Sequence, residues 1–158
     1  MKEIVLVANA AGAEQWLADA RVAQDGGDAH GSLVGLQTAL KAARGDDALV
    51  VAWDMPFVNG ELLRLVASRL SPPILAAVPE LPGGLEPFCA AYSARCLPLV
   101  ERQLARGDLR MTSFIDDLPV VRRIGESELS RLGEPARLFF NVNSAADLAT
   151  AEGMARED

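Results

Sequence analysis

The sequence has 158 residues, 50% hydrophobic, 23% charged and 5% aromatic, which is the composition of an ordinary soluble globular domain. One domain spanning residues 1–158 is expected, and a chain of this length removes roughly 68–70% of its unfolded surface from water, so it needs neither disulfides nor a structural metal to fold. Fifteen basic against 22 acidic residues leave a net charge of −7, which argues against a nucleic-acid backbone or an anionic membrane surface as partner. An anionic nucleotide would then require a local device: a helix N-terminus, a set of backbone amides or a bridging cation.

No apolar run approaches the ~20 residues of a membrane span, and no signal-peptide pattern opens the chain, so a cytoplasmic protein is expected. Cys89 and Cys96 are the only cysteines and sit in an apolar stretch, which reads as two buried thiols. His30 is the only histidine, so neither a poly-histidine metal site nor a histidine-based triad has its second member.

In chain order, Glu3 to Ala8 reads as a strand and Ala11 to about Ala20 as a helix. A loop from Asp25 to Gly31 leads into a helix capped by Ser32, with Leu33, Leu36 and Leu40 at helical spacing. Ala48 to Trp53 is a buried central strand that stops at Asp54-Met-Pro56. Asn59 caps a helix carrying Leu62, Leu63, Val66 and Leu70, which Pro72-Pro73 ends. Ile74 to Val78 is a further strand, Pro79 to Pro87 an irregular loop, and Phe88 to Tyr92 an extended run. Helices follow around Cys96–Arg106 and Asp108–Asp116, then strands at Val120–Ile124 and Leu138–Val142. Ser144 and Asp147 form a capping box for a last helix. Alternating apolar runs and helical stretches of this kind give an α/β fold with a mostly parallel sheet.

In such sheets ligands bind beyond the carboxyl ends of the strands. Asp54 stands at such an end, where a carboxylate suits Mg²⁺ held against phosphates, or equally well caps the turn before Pro56. Gly31-Ser-Leu-Val-Gly35 offers helix N-terminal amides to a phosphate or base, or is an ordinary helix start. Asp25 can accept from a base or ribose, though Asp-Gly is also a turn dipeptide. Asn141 and Asn143 fall on one side of an extended strand end and suit a polar heterocycle or a turn. Among Arg95, Arg102, Arg106, Arg110, Arg122 and Arg123 are candidates for phosphate contacts, and Asp116-Asp117 reads as a helix end.

Taken together and in order, Asp25 with Gly31–Gly35, Trp53-Asp-Met-Pro56, Glu86-Pro-Phe-Cys-Ala-Ala-Tyr92, Leu104-Ala-Arg-Gly-Asp-Leu-Arg110 and Phe140-Asn-Val-Asn143 resemble successive motifs of the molybdenum cofactor guanylyltransferases. The resemblance implies a three-layer, Rossmann-like fold of the nucleotide-diphosphosugar-transferase type. It also implies Mg²⁺-dependent transfer of GMP from GTP to molybdopterin, with release of pyrophosphate. On this carry-over Asp54 holds the metal. Asn9, Asp25, Gly31, Ser32 and Gly35 contact the guanine nucleotide, and Glu86, Asn141 and Asn143 face the pterin or its phosphate. Implied protein partners are other cofactor-biosynthesis proteins or an apo-molybdoenzyme. A cytidylyl or sugar-phosphate nucleotidyltransferase, and a non-catalytic module in molybdoenzyme maturation, are the alternatives.

The sequence departs from the family pattern at its start. Members open with a strand and a Gly-rich loop bearing Arg and Lys that wrap the triphosphate, whereas Met1 begins at what corresponds to the second strand. The missing piece is about one strand-loop-helix unit, on the order of 30 residues or more. The expectation is a fragment of a longer protein or a misassigned start; the alternatives are a catalytically dead relative that still binds a partner and a short active enzyme, the last disfavoured because it would expose core surface and strand edges.

Overall fold

The computed structural model describes residues 3–24 and 31–156. Two sheets form. β1 (Ile4–Val7) and β2 (Ala20–Ala23) pair in parallel, while β3 (Asp47–Val51), β4 (Ala76–Leu81), β5 (Gly84–Leu85), β6 (Cys89–Ser93) and β7 (Val121–Gly125) form a five-stranded sheet. β3 and β4 both run antiparallel to β6, and β7 runs parallel to β4, so β3, β4 and β7 share one direction. The expected mostly parallel arrangement holds in those strands and in β1–β2, with β6 as a reversed strand at the centre and β5 a hairpin partner of β4.

The central strands are buried on both faces because their residues feed two helix layers alternately. Ala76, Val78, Ala90 and Tyr92 pack with α1 (Ser32–Ala42), α3 (Leu97–Ala105) and α4 (Met111–Asp116) through Leu33, Leu36, Val100 and Phe114. Ala77, Cys89 and Ala91 face the other way, onto Leu62 and Val66 of α2 (Gly60–Ser68) and Leu129 of α5 (Glu126–Leu129). The small alanines on β4 and β6 let both helix layers approach closely. The result is the expected three-layer α/β sandwich.

Local chemistry sets the element ends. Asn59 is the N-cap of α2, its Oδ1 accepting from Glu61 N at 3.1 Å and Leu62 N at 2.9 Å, as the sequence predicts. Asp147 N donates to Ser144 Oγ at 3.2 Å, and Asp147 Oδ2 accepts from Asn143 N at 3.1 Å, closing the predicted box ahead of α7 (Ala145–Arg156).

Several expectations are corrected. The helix expected at Ala11–Ala20 reduces to a 3₁₀ turn at Ala13–Gln15, because Gly12 and Asp19 adopt left-handed backbone at φ 82° and 64° and Trp16 and Leu17 find no core to cover. β2 is a strand that the sequence reading did not contain. Gly31, not Ser32, is the cap residue of α1. β4 runs through Pro79, which the reading assigned to an irregular loop, and turns into β5. β6 flanks β4 only at Ala76 and Ala77, so the missing N–H of Pro79 leaves no ladder bond to β6 unmade. The strand expected at Leu138–Val142 is instead the end of α6 (Pro135–Leu138) followed by irregular backbone, with Pro135 fixing a helical start.

Candidate active site

A cleft of about 1530 Å³ opens between β1 and β3, with α1 and α2 as its sides. Asn9, Ser32, Gly35 and Asp54 line it, so the structure brings together four of the residues singled out from sequence. Asp25 lies outside the described residues, as does His30.

Asp54 follows the end of β3 at the tip of its strand. Its Oδ1 is buried and has no hydrogen-bond partner. A carboxylate oxygen in that state is under-coordinated, since buried polar atoms in folded proteins are nearly always paired. A hard divalent cation fits it: Mg²⁺ takes one or two protein carboxylates and completes its shell with water and substrate phosphates. Among the described residues no group of three or more His, Cys, Asp or Glu side chains could hold a metal alone, so the cation would depend on the substrate for its other ligands.

The backbone carbonyl of Asp54 accepts from Val142 N at 2.8 Å, which docks the segment Asn141-Val-Asn143 against the metal candidate. That segment is also pinned from behind. Phe140 meets Phe57 edge-on at 6.4 Å, and the Arg137 guanidinium lies 4.8 Å from the centre of the Phe57 ring. Asn141 turns its side chain inward, donating from Nδ2 to Phe139 O at 3.2 Å, while Asn143 is exposed.

The start of α1 is fixed from the Leu104–Arg110 motif. Leu109 O accepts from Leu33 N at 3.4 Å and from Ser32 Oγ at 3.3 Å, and a Cβ on Gly31 would come within 3.2 Å of Leu109 Cβ. Glycine at this position therefore allows the loop to close on the helix. Asp108 sets that loop by accepting from Arg110 N at 3.1 Å and pairing with its guanidinium, and these contacts hold its carboxyl at about 2. Gly35 differs: a side chain there would meet nothing within 4 Å.

Glu86 is not among the cleft-lining residues. Its N donates to Pro79 O at 2.9 Å, and burial raises its carboxyl above the ordinary glutamate value. It connects to the site through Phe88, whose carbonyl accepts from Ala52 N at 2.8 Å and which does line the cleft.

None of the six arginines proposed from sequence lines the cleft. Arg110, Arg122 and Arg123 are engaged with Asp108, Glu128, and Glu80 with Asp116, and Arg95 donates to Ile74 O. The cleft carries Arg44 and Arg64 instead, Arg44 beside Glu3 at 3.9 Å and Arg64 exposed on α2. Sequence reasoning missed Arg64, although its place in the helix that follows Asp54 is the signal that could have found it. The sequence places Trp53 at the end of a buried strand and in the motif with Asp54 without giving it a role, whereas β3 ends at Val51 and Trp53 is 94% exposed at the cleft.

Comparison with known proteins bears on this arrangement. Residues 1–122 match the family model of the MobA-like NTP transferase domain. The molybdenum cofactor guanylyltransferase of Desulfosudis oleivorans is 34% identical over 134 residues, covering 85% of this chain and 66% of that protein. A protein of Bacillus licheniformis named "Probable molybdenum cofactor guanylyltransferase" is 31% identical, covering 77% of this chain and 60% of its own length. The chain thus spans 60–66% of the length of these curated relatives. The crystal structure of molybdopterin-guanine dinucleotide biosynthesis protein A from Archaeoglobus fulgidus superposes with a TM-score of 0.80 at 24% identity, over 98% of this chain and 79% of that one, which establishes the shared fold. With residues 1–122 of its 158 matched by the family model, the chain belongs to the MobA-like NTP transferase family.

Proposed function

We propose that the protein transfers GMP from GTP to molybdopterin, forming the guanine dinucleotide form of the molybdenum cofactor and releasing pyrophosphate. The carrying observation is the buried, partnerless Oδ1 of Asp54 at the tip of β3, beside a cleft wide enough for a nucleotide. The names of the relatives supply the substrates.

In this reading the terminal phosphate of molybdopterin attacks the α-phosphorus of GTP. A new P–O bond forms there, the bond to the bridging oxygen of the β-phosphate breaks, and pyrophosphate leaves with the electron pair. The nucleophile is already an anion, so no general base is required and the chain's work is positioning and charge. Asp54 would hold a divalent cation, Mg²⁺ in this reading, and that ion would supply charge neutralisation on the phosphates.

Gly31, Ser32 and Gly35 at the start of α1, with Asn9 after β1 and Asp25, receive the guanine nucleotide. Arg64 adds a cation from α2. Asn141 and Asn143 face the pterin or its phosphate, held there by the Val142–Asp54 backbone bond, and Glu86 buttresses the neighbouring loop. The reaction belongs to the cytoplasm, and among the described residues no helix is long and apolar enough to cross a membrane.

The test is a transfer assay with GTP, molybdopterin and Mg²⁺, read as pyrophosphate release and as chromatographic appearance of the guanine dinucleotide. Product that depends on Mg²⁺ and disappears in Asp54→Ala is the expected result. Product formed equally with CTP would move the assignment to a cytidylyl branch, and product unaffected by Asp54→Ala would remove Asp54 from the site.

A further inference from the structure

Residues 140–143, which include Asn141 and Asn143, lie in neither helix nor strand, between α6 and α7. No sheet ladder therefore fixes them. Phe140 N donates to Arg137 O at 3.1 Å and Asn143 N to Asp147 Oδ2 at 3.1 Å, bonds that stay within the same stretch of chain. Val142 N reaches outside it, to the carbonyl of Asp54 at 2.8 Å. One hydrogen bond fixes a point and leaves the segment free to turn about it, so a second tie is needed to set which way the asparagines face.

Phe57 and Phe140 make that second tie. Their rings meet edge-on, with centroids 6.4 Å apart and planes at 62°, and the Arg137 guanidinium lies 4.8 Å from the centre of the Phe57 ring. Phe57 follows Asp54 and Phe140 precedes Val142, so along extended backbone the two ties are roughly 7–10 Å apart. The chain around Phe57 is itself fixed: Met55 is buried, Val58 N closes a turn onto Met55 O, and Asn59 caps α2. Met55, Val58, Leu138 and Phe139 pack into the core cluster that includes Leu62 and Val66 of α2. Phe57 and Phe140 are half-buried and belong to neither core cluster. Rings left partly in water contribute less to the fold than core rings do, and what these two hold is the relation between Asp54 and the Asn141–Asn143 segment.

We propose, resting on the reading that Asp54 serves the metal and that Asn141 and Asn143 face the acceptor, that Phe57 is a positioning residue. Its ring, held by Arg137 and Phe140, sets the acceptor segment against Asp54. Phe57 acts through Phe140 and makes no contact of its own with either substrate. The guanine-nucleotide side does not depend on it, because Asn9, Ser32 and Gly35 stand at β1 and α1, and the end of β3 is held separately by the bond from Ala52 N to Phe88 O at 2.8 Å. Loss of the Phe57 ring therefore separates acceptor binding from GTP binding.

Phe57→Leu keeps an apolar side chain and removes both ring contacts, while Phe140→Leu removes the edge contact and leaves that of Arg137. Amide exchange, read residue by residue on the 158-residue chain, tests the tie. An aromatic pair and a cation over a ring each shift a local equilibrium by roughly twofold to tenfold, so the Val142 amide should exchange about tenfold faster in Phe57→Leu and about threefold faster in Phe140→Leu. The second variant decides the matter if the first does not fold. The amides of β7 should be unchanged, which separates a loosened segment from a destabilised fold. Calorimetric titration tests the consequence: Phe57→Leu should bind molybdopterin about tenfold more weakly and GTP with Mg²⁺ as tightly as the parent chain. Unchanged exchange at Val142 overturns the proposal, and weaker molybdopterin binding without faster exchange would make Phe57 a direct contact instead. Faster exchange with unchanged molybdopterin affinity, or an equal loss of GTP affinity, also overturns it. If the parent chain, its Val142 amide protected, binds no molybdopterin, the acceptor reading itself fails and the role of Phe57 with it.

Discussion

Replacing Asp54 by alanine is expected to make the protein more stable and less able to bind nucleotide. Oδ1 of Asp54 is buried without a partner, and an unpaired buried acceptor costs about 1–3 kcal/mol of folding free energy. The residue as a whole is only half-buried, which puts the effect near the lower end, about 1 kcal/mol. Alanine removes that oxygen while keeping the backbone carbonyl that receives Val142 N at 2.8 Å, so the Asn141–Asn143 segment stays docked. For a protein of this size 1 kcal/mol corresponds to a rise in Tm of about 2–4 °C. In the same variant the Mg²⁺-dependent part of GTP affinity falls at least tenfold, or about 1.4 kcal/mol. Thermal unfolding followed by circular dichroism reads the first effect and calorimetric titration the second. A drop in Tm would show that the Asp54 carboxylate holds the fold together, and unchanged Mg²⁺-dependent affinity would show that it is no metal ligand.

Three further outcomes are expected. Asn59→Ala removes both bonds that cap α2 and lowers stability by about 1 kcal/mol, a fall in Tm of about 2–4 °C by the same assay. Glu128 is held by Arg69 at 2.6 Å and by Arg122 at 2.7 Å, which keeps its carboxyl below the ordinary value of 4.5. Its contribution is therefore complete above about 4.5 and lost as pH falls through the lowered value, so Glu128→Gln flattens the acid limb of a Tm-against-pH curve and leaves that limb's shape unchanged only if the pairing contributes nothing. Burial, helped by nearby Glu86, pushes the Cys89 thiol up to about 12, and burial pushes Cys96 up to about 11. Both should stay silent to a thiol reagent at pH 8 in the folded chain and react on denaturation, and rapid reaction of either in native buffer would contradict the buried placement.

Much of the architecture was legible because it rests on local signals. The apolar run at Ala48–Trp53 and the Asn59 cap define β3 and α2 within a few residues, and the same run directs attention to Asp54 at its end. What was hidden depends on distant partners. Ala20-Arg-Val-Ala23 has no strand pattern of its own and becomes β2 only by pairing with β1. Leu138–Val142 has a strand's composition, yet Pro135 starts a helix turn and the Phe57–Phe140 contact holds the rest against α2's approach. The reversal of β6 is invisible in sequence, since strand direction leaves no mark on side-chain alternation. Arg64 and Trp53 become site candidates only when β1 and β3 are seen to face one another across an open cleft.

The most direct measurement of the central claim is calorimetric titration of the folded chain with GTP, in Mg²⁺ and in EDTA. Both tryptophans, Trp16 and Trp53, line the cleft and give a parallel fluorescence signal. The account predicts saturable binding in Mg²⁺ and at least tenfold weaker binding without it. Binding of equal strength in both buffers, or no binding by a folded chain, would contradict the assignment of this cleft as a metal-dependent nucleotide site.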